Sequence, residues 1–168
     1  MRANIQLYKQ LEYLHRRKHE KIFLASYFAK VVEQFKAFVQ NNEIKTKRIL
    51  FIPTASNVEE YTEYVTEGKQ ALEELGYVVD KFDIANEPVD VAASKVKNAE
   101  MFFITGGNTF YLLQELKKKN LVSLINEKVD CGTPYIGESA GAMIMAPSTK
   151  HQASSIAVLS TMQLLPKI

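Results

Sequence analysis

Tryptophan is absent from this 168-residue chain, and cysteine occurs once, at Cys131. A lone thiol forms no internal disulfide and no CxxC metal or redox pair, which fits a reducing compartment and makes a cytoplasmic location the expectation. No apolar run approaches the roughly 18 residues of a membrane-spanning helix. The first residues also lack the charged start, apolar stretch and small-residue cleavage site of a secretory signal, so no membrane partner is expected. Charge of one sign is scarce too, at a net +2. Arg2, Lys9, Arg16, Arg17 and Lys18 face only Glu12 and Glu20 within the first 20 residues, so the basic character belongs to this leader and the rest is slightly acidic. That distribution argues against a nucleic-acid partner. Histidine is limited to His15, His19 and His151. His15 and His19 stand four apart, a metal-pair spacing, but they flank Arg16, Arg17 and Lys18, which repel a cation. A solvated face is the expectation there, with no metal and no cofactor.

What the chain does have is an apolar share of 46% over a length that supports one sizeable core. Ile5, Leu7, Tyr8, Leu11 and Leu14 recur near the helical period, so residues 4–18 read as an amphipathic helix within an N-terminal extension over residues 1–20. A single α/β domain is expected over residues 21–168. Short apolar runs at residues 21–25 (KIFLA), 47–53 (KRILFIP), 77–84 (YVVDKFDI), 101–105 (MFFIT) and 133–137 (TPYIG) read as strands. Between them lie helical patterns at 28–39, 58–75, 89–96, 110–120 and 121–129. The first places Phe28, Val31, Val32, Phe35, Phe38 and Val39 on one face, and the second turns Tyr61, Tyr64, Val65, Ala71 and Leu72 inward. Strands alternating with helices imply βαβ units and a doubly wound, mostly parallel sheet. In such sheets ligands sit beyond the carboxyl ends of the strands, where strand order reverses.

Five of the seven glycines fall between positions 106 and 141, four of them (Gly106, Gly107, Gly137 and Gly141) at the ends of the last two strands. Gly137-Glu138-Ser139-Ala140-Gly141 matches G-x-S-x-G between a strand and a helix, the context of a nucleophile elbow. A serine on that turn exposes its hydroxyl, and the following helix aims N–H groups at the same point. The competing reading is a tight turn with Ser139 as helix N-cap. Gly106-Gly107-Asn108-Thr109 is neither a P-loop nor a dinucleotide fingerprint, and by itself reads as a loop with Asn108 or Thr109 capping the next helix. Beside a serine elbow, Gly107 can supply a second oxyanion N–H and admit a substrate carbonyl, and Asn108 becomes a substrate contact. Lys117, Lys118 and Lys119 read as dipole-compensating cations, Met143, Ile144 and Met145 as packing behind the elbow, and Cys131 as a turn or core residue.

KIFLASYFA, FIPTAS, ITGGNTFYLLQEL and YIGESAGAMIMAP, in this order, resemble peptidase family S51, the peptidase E (aspartyl dipeptidase) and cyanophycinase group. The resemblance covers about residues 21–147. It implies a flavodoxin-like sheet related to class I glutamine amidotransferases, a serine nucleophile at Ser139, and an oxyanion hole at the N–H groups of Gly107 and Ala140. It also implies metal-free cleavage of short peptides next to aspartate. Two other readings stand beside it: a small-ligand-binding domain or inactive fragment on the same loops, and another serine acyl hydrolase.

The family pattern departs after the elbow. There the acidic residue and a His in an N/L-P-H-like segment follow the serine, whereas here no Asp or Glu follows Glu138 and the only later histidine is His151. His151 is the candidate base, against a solvated loop residue as the plainer reading. Glu138 is too near Ser139 in sequence to orient a distant base, though it could touch substrate. The weakly charged tail suggests a reading frame shortened or shifted after about Pro147, hence a domain incomplete at its C-terminus. A sheet edge left open in this way predicts poor solubility or a homodimer.

Overall fold

Runs that are apolar at every position become strands covered on both faces, while strands of mixed burial go to the edges. In the computed structural model, which describes residues 20–145, β2 (Arg48–Ile52), β4 (Phe102–Ile104) and β5 (Tyr135–Glu138) are buried almost throughout. The half-buried β1 (Ile22–Ala25) and the exposed β3 (Val78–Lys81) flank them. All pairings are parallel, and the order across the sheet is β1-β5-β4-β2-β3. Counted from β2, the strands β3-β2-β4-β5 follow the flavodoxin order 2-1-3-4, with β1 beside β5 in the fifth position.

The connecting helices are α1 (Val32–Asn41), α2 (Glu63–Glu74), α3 (Val89–Lys97), α4 (Thr109–Lys118), α5 (Leu121–Asp130) and α6 (Ala140–Met145). Phe35 of α1 and Val65 and Leu72 of α2 pack on one face with Phe51, Phe103 and Ile136. Val96 of α3, Leu112 and Leu116 of α4, and Ile125 and Val129 of α5 pack on the other with Ile52, Phe102 and Ile104. The expected α/β, doubly wound architecture is therefore present, with every described strand parallel. Aromatic contacts tie the first face together: Phe103 stacks on Phe51 at 5.0 Å and meets Phe28 edge-on at 4.9 Å. Such pairs add about 1 kcal/mol each beyond the area they bury.

Three element boundaries differ from the periodic pattern, each for a tertiary reason. The helix expected over 58–75 starts at Glu63, because residues 54–58 form a 3-10 turn whose Ala55 carbonyl accepts the Asn108 N–H at 2.8 Å. Tyr61 consequently stands 57% exposed rather than facing inward. The strand expected over 77–84 stops at Lys81. There Asp83 gathers Thr54 Oγ1, Asn57 Nδ2, Asn86 Nδ2 and the Ala85 N–H, a local network that outcompetes a ladder. The helix expected over 28–39 is divided into a 3-10 turn at Phe28–Lys30 and then α1, because the Phe28 N–H is held by Glu138. Residues 1–19 and 146–168, including the helix expected at 4–18, His15, His19 and His151, lie outside the described residues. No helix among the described residues is long and apolar enough to cross a membrane.

β2 sends the chain to one face through α2, and its neighbour β4 sends it to the other through α4. Parting connections leave a crevice at the carboxyl ends of these two strands.

Candidate active site

The crevice is bounded by the loops that follow β1, β2, β4 and β5. Ser139 follows β5 immediately, at φ 45°, a left-handed conformation that costs a non-glycine residue about 1–2 kcal/mol. Its backbone N–H donates to the Ala25 carbonyl at 2.8 Å, which ties the turn to β1. Its side chain is exposed. The two motif glycines are steric requirements of this turn. A Cβ at Gly137 would lie 2.7 Å from the Gly141 carbonyl oxygen, and one at Gly141 would lie 2.1 Å from that of Ile104. Tyr135, fully buried, donates its hydroxyl to the Gly141 carbonyl at 2.7 Å and holds the start of α6 down; burial pushes this phenol well above its ordinary pKa.

Across the crevice, Gly107 adopts φ 127°, and a Cβ there would sit 2.3 Å from the Ala55 carbonyl oxygen. The glycine is thus demanded by the 3-10 turn behind it; the sequence reading, which tied it to substrate approach, missed this packing reason. Asn108 accepts the Tyr111 N–H at 3.0 Å, so its side-chain oxygen caps α4. Gly106 brings the two loops together: a Cβ on it would be 3.3 Å from Ser139 Cβ and 3.3 Å from Tyr64 Cε2.

Glu138 lies beneath this surface, 2% exposed, with Oε1 accepting the Phe28 N–H at 2.8 Å and Oε2 the Gly106 N–H at 3.4 Å. Burial raises its pKa, and the two backbone donors pull in the opposite direction without cancelling it. It clamps the loop after β1 to the glycine loop after β4.

The resulting cleft of about 330 Å³ is lined by Ser26, Tyr27, Glu59, Tyr61, Tyr64, Gly106, Gly107, Glu138 and Ser139. Gly107, Glu138 and Ser139 were legible in the motifs. The tyrosines and Glu59 were not, since Tyr61 and Tyr64 carried helical spacing and read as core. The available signal was their position after β1 and β2, because parallel strands deliver all such loops to one edge. Met143, read as packing, is 56% exposed, while Ile144 and Met145 do pack partly against the core. Lys119 is buried and donates to the carbonyls of Ala85 and Glu87, joining α4 to the loop after β3. Cys131 is an exposed turn residue after α5.

A family model described as peptidase family S51 matches residues 22–167. The chain belongs to this family. Among its relatives, an uncharacterized peptidase of Listeria monocytogenes is 48% identical over 130 residues, covering 77% of this chain and 62% of the relative. An uncharacterized peptidase of Pasteurella multocida is 44% identical over 132 residues, covering 79% and 63%. A peptidase E of Nostoc sp. is 33% identical, covering 78% and 54%. The chain thus spans about three fifths of the length of the relatives it matches. A crystal structure of a candidate peptidase E protein from Listeria monocytogenes EGD-e superposes with a TM-score of 0.68 at 49% identity, over 72% of this chain and 59% of that one. A peptidase from an acI-B1 actinobacterium gives 0.56 at 26% identity, over 73% and 55%. This S51 chain therefore shares with solved peptidases the fold that carries the elbow.

Proposed function

We propose that this S51 chain is a serine peptidase acting on short peptides, with Ser139 as nucleophile. The observation that carries the reading is the exposed Ser139 at φ 45° on a strand-to-helix turn, facing the Gly106-Gly107 loop across an open cleft. A backbone strained in this way persists only where surrounding contacts hold it, here the Ala25 carbonyl and the two close-packed glycines.

In the proposed mechanism the Ser139 Oγ attacks the scissile carbonyl carbon while a base takes its proton. The carbonyl oxygen becomes an oxyanion near the N–H groups of Gly107 and Ala140, neither of which donates to another backbone group among the described residues outside the helices. Collapse of the tetrahedral intermediate expels the amine, and water then hydrolyses the acyl-serine ester. The volume of the cleft, at the low end for small-molecule sites, suits a dipeptide-sized substrate. Aspartyl bonds are the substrate class implied by the family; among the described residues lining the cleft, none is a cation that could pair with an aspartyl carboxylate.

An active-site-directed fluorophosphonate tests the nucleophile. Labelling of the full chain, lost in Ser139→Ala, is expected; an unlabelled parent protein overturns the reading in favour of a small-ligand binder on the same loops. A labelled protein that cleaves simple esters but no dipeptide is instead a different acyl hydrolase.

A further inference from the structure

The chain has one pair of consecutive glycines, Gly106-Gly107. The peptide between them turns easily, because neither residue has a Cβ to oppose rotation. Its N–H, that of Gly107, is the group assigned to the oxyanion, and it donates to no backbone carbonyl among the described residues. Two side chains fix its direction. Thr105, fully buried, donates its hydroxyl to the Gly106 carbonyl at 3.0 Å, and that carbonyl lies in the same peptide plane as the Gly107 N–H. Glu138 Oε2 accepts the Gly106 N–H at 3.4 Å, from a carboxyl group anchored on the Phe28 N–H at 2.8 Å. The flanks of the loop are held separately: the Thr105 carbonyl accepts the Gly141 N–H at 3.2 Å, and the Asn108 N–H donates to Ala55 at 2.8 Å. Stability does not explain Glu138. A carboxylate buried with two backbone donors, and with no ion pair among the described residues, is a costly clamp, and burial above all raises its pKa.

We propose that Glu138 and Thr105 are positioning residues for the oxyanion: together they hold the Gly106–Gly107 peptide so that the Gly107 N–H faces the carbonyl attacked by Ser139. Glu138 is the neighbour of Ser139 in the chain, so the turn that aims the hydroxyl also carries the carboxylate that sets the donor. A Cβ on Gly106 would lie 3.3 Å from Ser139 Cβ, which puts loop and nucleophile at contact distance. A donor displaced by about 1 Å from the developing charge loses much of its effect. The site calls for a carboxylate rather than an amide, because each carboxylate oxygen takes one N–H. Glutamine has a single acceptor, and keeping it on Phe28 turns the side-chain NH2 against the Gly106 N–H. The inference rests on reading Ser139 as the nucleophile.

The test measures fluorophosphonate labelling of the full chain at increasing probe concentration, which separates the maximal labelling rate from the half-saturating concentration. Glu138→Gln and Thr105→Val are each expected to slow the maximal rate about tenfold with half-saturation unchanged, because the held peptide acts on the charged transition state and not on probe binding. Thr105→Ser, which keeps the hydroxyl, is expected to retain the parent's rate. Glu115→Gln, at a buried carboxylate that pairs with Lys118 on α4, controls for a merely structural change and is expected to label as the parent does. An unchanged rate in Glu138→Gln overturns the proposal, as does a loss confined to half-saturation or an equal loss in Thr105→Ser and Thr105→Val. Amide exchange at Gly106, read by NMR, separates this inference from the peptidase reading. A parent that does not label defeats that reading; faster Gly106 exchange in Glu138→Gln than in the parent then still supports the held peptide, and equal exchange overturns it.

Discussion

Glu138 Oε1 accepts the backbone N–H of Phe28 at 2.8 Å across 110 residues of chain. The residue beside the candidate nucleophile thereby fixes the first turn after β1, and through its second oxygen the Gly106 N–H. One carboxylate joins three of the four loops that form the cleft.

The Glu138 clamp has a pH signature. Burial raises its pKa above the ordinary carboxylate value, so protonation favours the folded state. That contribution is full below the ordinary value and is lost as pH rises through the raised one. Glu138→Gln abolishes this titration. Urea midpoints of the parent are therefore expected to fall relative to Glu138→Gln as pH rises above the ordinary carboxylate range. Parallel midpoints for the two proteins across that rise would contradict it.

Gly107→Ala is expected to destabilise the chain by about 3 kcal/mol, since the new Cβ meets backbone and the residue must hold a strained φ. Gly76→Ala is the control for conformation alone: its φ is 79°, but nothing lies within 4 Å of an added Cβ. Its cost is expected to be about 1 kcal/mol. Chemical denaturation of both variants decides the point, and equal losses would mean that Ala55 yields easily.

Ser139→Gly is expected to stabilise the fold by up to about 1 kcal/mol while losing all fluorophosphonate labelling, because glycine holds the left-handed turn without the Cβ penalty. A lower urea midpoint than the parent's would show that the serine side chain stabilises the turn more than its backbone strains it.

Much of this site was legible because it is local in sequence. Gly137, Ser139 and Gly141 lie within five consecutive residues, and a turn between strand and helix dictates which positions lack a Cβ. The strands β2 and β4 were legible for a similar reason, since burial on both faces leaves an apolar run. The tyrosines were not. Tyr61 and Tyr64 sit at helical spacing whether or not the helix has begun, and the 3-10 turn at Thr54–Val58, bonded to the glycine loop through Ala55 and Asn108, precedes a helix that starts only at Glu63. The steric demand for glycine at 107 was not legible either, because its partner, Ala55, belongs to a distant loop.

By itself, the sequence determined the alternation of strands and helices, a mostly parallel sheet and the serine elbow motif, because each follows from short-range periodicity and backbone geometry. The tertiary structure alone decided which loops share the crevice, that Glu138 is buried as their clamp, and that the mouth is lined by tyrosine and carboxylate without a described cation. The physical reason is the strand order. Parallel strands far apart in the chain end at one edge, and the charges and rings that meet there are set by that convergence rather than by any spacing along the chain.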